Sequence, residues 1–415
     1  IFALVILLVP RAALASPLAK PQPQSTSVVQ CVESLVALVQ GQFLAAEPAL
    51  EDTLAKAKSA LRESAQSAST LSETDRNALG MCALVLGILH QSTTDWVEAL
   101  DAYTVALDAF DANADPQMSW AARFGSSTVY LAQGRNTEAY TTLQQTLALL
   151  GSPTTAAERA CADATAAGGR VAQTWTTEGL KPLARAVNLN NIGLAIAVPL
   201  AQQQDTGATY EQAQSCITAA LQLLQDIGRQ GANPDAILTD LLLQLTLGGS
   251  GGDALNDLFL NMLISSVVPE LAKSFEPIVL NNLGQLYAAE ADYEQAEEYL
   301  SQALRQIKAD QAKNNSAELQ AILPLLDSMM PLLGADLDPD LQALVQLMPG
   351  LLNSLALFSN VINLNGDAAV LNNLALVYNA QGNSVAAQST FADALEIYEN
   401  KLGSYQNAVL VHVNL

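Results

Sequence analysis

The chain of 415 residues is half hydrophobic and only 14% charged, with 41 acidic against 18 basic side chains and a formal charge of -23. Apolar content of that order excludes a disordered chain, and carboxylate excess leaves no basic stripe to neutralise phosphate. Nucleic acid and anionic membranes are therefore poor partners, whereas a protein or peptide that is neutral or basic is compatible with the charge.

Ile1 to Val9 is an unbroken apolar run, and Ala13-Leu14-Ala15 is a small-x-small site of the kind signal peptidase cuts. Residues 1–15 are therefore expected to be a signal peptide and the chain to be exported, whether extracellular, at the cell surface or periplasmic. The run is shorter than the roughly 20 residues that span a bilayer, so no membrane insertion is expected once the signal is removed. Gln30 is too large for a lipidation signal at Cys31. No initiator Met and no basic n-region precede the run, and the sequence stops at Asn414-Leu415 just as it enters a segment like Asn373-Leu374, which reads as a fragment. Residues 16–75 are expected to form an N-terminal helical cap or degenerate repeat, ahead of an array over 76–415.

Within the array one order of large and small residues returns. Leu86, Gly87, His90, Ala99, Tyr103 and Ala106 form the first copy, with Asp95-Trp96 at its turn. Ser127, Tyr130, Ala139 and Leu143 make a weaker one, with Ser126 for the large residue and Thr146 for the last Ala. A third begins at Leu189, Ile192 and Gly193, but Ala213, Ile217 and Ala220 arrive late, which predicts a lengthened turn at Gln202 to Thr209. Leu283, Gly284, Tyr287, Ala296, Leu300 and Ala303 give the fullest copy, and Leu374, Ala375, Tyr378, Ala387, Phe391 and Ala394 another, with Gly382-Asn383 at the turn. The order resembles the tetratricopeptide (TPR) repeat, a helix, tight turn and second helix that cannot bury its apolar face alone. The resemblance implies an all-α, TPR-like right-handed superhelical solenoid of helix-turn-helix repeats with additional helical insertions.

The insertions fall near 148–186, 229–276 and 309–367. Ala236–Leu247, Leu255–Phe275, Ala317–Leu333 and Leu341–Ile362 read as apolar helices, cut by Pro324, Pro331, Pro339 and Pro349 in the later part. They are read as hairpins continuing the solenoid, against a flap over a groove. Gly193 to Gly284 and Gly284 to Ala375 are 91 residues each, weak evidence for a duplicated block. Cys31, Cys82, Cys161 and Cys216 lack C-x-x-C spacing; Cys31 with Cys82 and Cys161 with Cys216 would pair if repeats stack in order, and four buried thiols are the alternative.

Chemistry is sparse. His90 fills a packing slot and His412 lies on the last helix, so no catalytic triad or histidine metal site is expected, and neither is a cofactor. Gly248-Gly249-Ser250-Gly251-Gly252 follows a helix, unlike a nucleophile elbow, and reads as a linker. Asp336, Asp338 and Asp340 have Leu341 and Leu347 where a calcium loop needs Gly and Glu, and read as an acidic turn. Paired asparagines do stand out: Asn190-Asn191, Asn281-Asn282 and Asn372-Asn373, with Asn414 opening a fourth copy. In tetratricopeptide proteins this part of the first helix lines the concave groove. The resemblance makes Asn191, Asn282, Asn373 and Asn414 candidates for hydrogen-bonding the backbone of an extended peptide, with Asn190, Asn281 and Asn372 beside them; asparagines that merely keep the groove wet are the alternative. The expectation is a non-catalytic interaction scaffold. The alternatives are the recognition arm of an enzyme whose catalytic domain lies beyond residue 415, or a structural subunit of a surface assembly.

Overall fold

The computed structural model describes residues 73–112, 115–153, 155–161, 178–204, 207–230, 252–313, 364, 366–402 and 405–414, together with Asp52 and Ala55. The expected signal peptide, Cys31, the 248–251 glycine run, the Asp336–Asp340 turn and the helices expected at Ala236–Leu247, Ala317–Leu333 and Leu341–Ile362 lie outside the described residues. What is described is all α, without a strand, and falls into two compact units.

The first unit holds α1 (Glu73–Ser92), α2 (Trp96–Ala112), α3 (Pro116–Ala132) and α4 (Asn136–Leu149), packed in order as two hairpins. We call the first helix of each hairpin A and the second B. Tyr103 on α2 is the wedge between hairpins: a Cβ at Gly87 on α1 or at Gly125 on α3 would lie 2.7 or 2.5 Å from its ring. Its buried hydroxyl donates to Gln91 Oε1 at 2.8 Å, and Gln91 Nε2 donates to Thr128 Oγ1 at 3.0 Å, so the wedge leaves no phenol unpaired. Ser127 and Thr146, the departures in the weaker copy, are buried and give their hydroxyl protons to Phe124 O and Thr142 O, which lets a hydroxyl occupy a small-residue slot.

The second unit holds α5 (Ala156–Cys161), α6 (Lys181–Ala201), α7 (Tyr210–Gln230), α8 (Gly252–Ala289), α9 (Tyr293–Lys313), α10 (366–380), α11 (Ser384–Glu396), which continues as a π-helical turn over Ile397–Lys401, and α12 (Tyr405–Asn414). α6, the last part of α8, α10 and α12 are A helices; α7, α9 and α11 are B helices. α6 ends at Ala201 and α7 begins at Tyr210, the wide separation that the late arrival of Ala213 predicts. α6 has the length and apolarity of a membrane span, but it is mostly buried within the protein. α5 is fastened to α7 by the Cys161–Cys216 disulfide and to α6 by Arg185, whose Nη1 donates to Glu158 Oε2 at 2.8 Å in a buried ion pair. Cys82, in the first unit, is disulfide-bonded too.

α8 differs from the reading of Leu255–Phe275 as a separate helix: it runs 38 residues without a break through Pro269 and Pro277. A proline inside a helix forfeits one hydrogen bond, at about 3 kcal/mol. Burial of Val268, Ala272, Pro277, Val279 and Leu280 on this stretch offsets that loss.

The A-to-B turns share one geometry. A residue with positive φ follows the A helix (Thr94, Gly134, Ala291, Gly382), and the next amide donates back five residues, as Asp292 N to Tyr287 O at 2.9 Å and Asn383 N to Tyr378 O at 2.8 Å. In these last two turns the residue that donates also caps helix B, with Asp292 Oδ1 accepting from Gln295 N and Asn383 Oδ1 from Ala386 N. Within each hairpin the two helices touch at a small residue. A Cβ on Gly284 would lie 2.5 Å from Leu300 Cγ and 3.2 Å from the Ala296 carbonyl.

Gly284→Ala is therefore expected to destabilise the second unit by about 1–2 kcal/mol, overpacking outweighing the better helix propensity. Gly228→Ala, where the nearest atom is Lys273 Cγ at 3.5 Å, is expected to be neutral or stabilising. Denaturant titration of the two variants checks the contrast.

Candidate functional site

The A helices of the second unit bring the expected asparagines into one row. Asn282 Nδ2 donates to Asn190 Oδ1 at 2.9 Å, Asn373 Nδ2 to Asn281 Oδ1 at 2.9 Å, and Asn414 Nδ2 to Asn372 Oδ1 at 3.1 Å. The second asparagine of each pair thus reaches back to the first asparagine of the pair before. Within pairs, Asn190 Nδ2 donates to Asn191 Oδ1 at 3.1 Å and Asn372 Nδ2 to Asn373 Oδ1 at 3.4 Å. The side chains therefore form two relays, Asn282 to Asn190 to Asn191 and Asn414 to Asn372 to Asn373 to Asn281.

Burial divides the row. Asn190 and Asn282 are buried, while Asn191, Asn281, Asn372, Asn373 and Asn414 are half-buried. An amide nitrogen carries two hydrogens and an amide oxygen two lone pairs, so a half-exposed amide that bonds once to its neighbour retains capacity on its open side. Beside the row stand Leu194 and Ile278, half-buried, and Gln285, Leu376 and Val198, exposed. The surface is a line of amides bordered by aliphatic side chains.

A second polar column was not foreseen. Arg185, Glu276 and Asp367 are 91 residues apart, the same period that separates the asparagine pairs, and occupy equivalent places near the start of each A helix. Each is tied sideways to helices of the B layer or to α5. Arg185 pairs with Glu158; Glu276 Oε1 accepts from Gln225 Nε2 at 3.0 Å and Gln306 Nε2 at 2.8 Å, on the B helices either side; Asp367 lies among Lys308, Lys401 and Gln311. The signal was in the equal periods, but only the placement of the helices shows that 91 residues returns the chain to the same face. At the other end of the hairpins Gln214 Nε2 donates to Glu290 Oε2 and Gln381 Nε2 to Glu297 Oε2, linking successive hairpins again.

Electrostatics in the column are unfavourable at Asp367. Its carboxyl is held above the usual carboxylate range, first by burial and also by Asp393, against the lowering pull of Lys308, Lys401 and Gln311, and its Oδ1 has no hydrogen-bond partner. His90 is buried in its packing slot, and His412 bonds Glu399 Oε1 at 2.9 Å. Among the described residues there is no cluster of three His, Cys, Asp or Glu that could hold a metal.

Residues 279–313 match the family model for the tetratricopeptide repeat. Solved structures similar to the chain include BtubC (BKLC) from P. vanneervenii, 15% identical, covering 85% of this chain and 92% of that one at a TM-score of 0.42. The apo form of RapI is 11% identical, with 90% and 97% covered and a TM-score of 0.43. A human IFIT1 dimer with m7Gppp-AAAA is 16% identical, with 81% and 76% covered and a TM-score of 0.18. Superpositions of that quality identify no function, and no curated protein matches the chain.

The raised Asp367 carboxyl makes a signed prediction. A group that ionises less readily folded than unfolded costs stability once pH rises above its unfolded value. Asp367→Asn is expected to raise the melting temperature at pH 7 and to lose that gain as pH falls below the ordinary carboxyl range, where both states are protonated. Thermal melts of both proteins between pH 3 and pH 8 check it.

Proposed function

From a chain built of tetratricopeptide-repeat hairpins, we propose an exported, non-catalytic scaffold that binds a protein partner through an extended segment laid along the asparagine row of the second unit. The observation that carries this reading is the row itself: amides from four successive A helices on one line, five of them half-exposed. A side-chain amide offers donor and acceptor together, which is what a peptide unit presents whatever its side chain. Asn282, buried against Asn190, serves the stack more than the ligand. Asn191, Asn281, Asn372, Asn373 and Asn414 are the members that face both ways. The acid excess of the chain disfavours an acidic partner and nucleic acid.

Export rests on the apolar run, the Ala13-Leu14-Ala15 site and a disulfide suited to an oxidising compartment. In an export-competent host the mature protein is expected to begin at Ser16; N-terminal sequencing that finds residues 1–15 retained would sink this part.

Binding is tested by panning a random 12-residue peptide display library on the intact chain. Selected peptides are expected to lose about ten-fold in affinity, or about 1.4 kcal/mol, on the Asn281→Ala/Asn372→Ala double variant. Equal affinity for the two, with the variant still folded by circular dichroism, would overturn the row as the binding surface.

A further inference from the structure

We infer that the segment bound on this row is uncharged over its whole crossing: an extended stretch of about eight residues, aliphatic or small and polar, with no Asp, Glu, Lys, Arg or terminal carboxylate among them. The inference rests on the reading of the row as the binding surface. What it adds is the chemistry of the occupant.

The A helices are free of charge wherever they carry the row. Residues 186–204, 277–289 and 368–383 contain no Asp, Glu, Lys or Arg, and α12 contains none either, its ionisable group being His412, which is bonded to Glu399. At the chain's 14% charged content each of those stretches would carry about one to three. The charges that A helices do carry nearby, Arg185, Glu276 and Asp367, lie upstream and are tied toward other helices. Acidic residues gather instead on the B helices, as at Glu294 and Glu298, both exposed. A charged side chain on the row would lose water against amides and aliphatic groups without meeting an opposite charge, which opposes its binding. The acid field around the row adds repulsion for a carboxylate.

Length follows from the helices. Three steps between neighbouring A helices at about 8–10 Å make about 24–30 Å, which an extended strand covers in about seven to nine residues. Its peptide units can meet the amides of Asn191, Asn281, Asn372 and Asn414 while alternate side chains lie on Leu194 and Leu376. A strand with aliphatic or small polar side chains satisfies both borders.

The test takes the tightest peptide from the library panned on the intact chain and compares it with versions carrying one central Lys or Asp, by fluorescence anisotropy. The uncharged peptide is expected to bind at least ten-fold tighter than either, and Leu376→Asp, at an exposed position that leaves the core intact, is expected to narrow the gap for the Lys version and widen it for the Asp version. Charged central residues in the selected peptides, with binding still lost on Asn281→Ala/Asn372→Ala, would overturn the uncharged occupant and leave the row as the site. Peptides that bind the double variant equally would overturn the row, and the occupant with it. A library that yields no row-dependent peptide counts against both.

Discussion

Everything in the second unit depends on how closely the two helices of a hairpin approach each other. Gly193 packs on Ile217 and Gly284 on Leu300, at separations no side chain would permit, and Ala375 holds the same place in α10 with Phe391 in its core cluster. Once a hairpin is drawn together on that side, apolar surface remains on the other, and only the next hairpin can cover it. Neighbouring A helices are thereby laid side by side. The asparagine row is a consequence of that arrangement, because amides 92 or 42 residues apart in the chain come within hydrogen-bond reach only when the hairpins stack in order.

The parts of this fold that were legible in the sequence are those set by packing. Leu283, Gly284, Ala296, Leu300 and Ala303 are all buried, because a large-small-large order is a direct record of which helix faces touch. The late Ala213 was equally readable, since an insertion in a turn displaces the second helix without altering its pattern. Less could be read where backbone rules and burial compete. Prolines at 269 and 277 argue locally for a helix end, yet burial along the helix carries α8 through both. The asparagine pairs announced themselves as an exception to an apolar background, but sequence does not say that each amide first serves the neighbouring hairpin.

Two kinds of polar contact hold the stack, and they differ in cost. The column of Arg185, Glu276 and Asp367 places charge at buried or, for Glu276, half-buried positions, where it needs partners on adjacent helices; Glu276 has two glutamines, Arg185 has Glu158, and Asp367 retains an unbonded oxygen. Neutral amides achieve register for less, because their desolvation is cheaper and a mis-stacked pair still leaves no bare charge. A buried amide pair such as Asn190 with Asn282 penalises a one-residue slip directly, by stranding both groups.

That economy raises the question of why the row extends beyond its buried pair. Register between two hairpins is fixed by one buried amide bond, and the glutamine contacts to Glu276, Glu290 and Glu297 fix it again from other directions. Further half-exposed asparagines add little to a register already determined, since water competes for their bonds. Leucine stands at each flank position that the stack alone could use, as at Leu189, Leu280 and Leu371, all buried. Retaining asparagine at the open positions favours something outside the stack that needs donor and acceptor on the same line. The charge-free stretches around it, in a chain with more than twice as many acids as bases, point the same way: the row is neutral, while exposed Glu294 and Glu298 lie on a B helix.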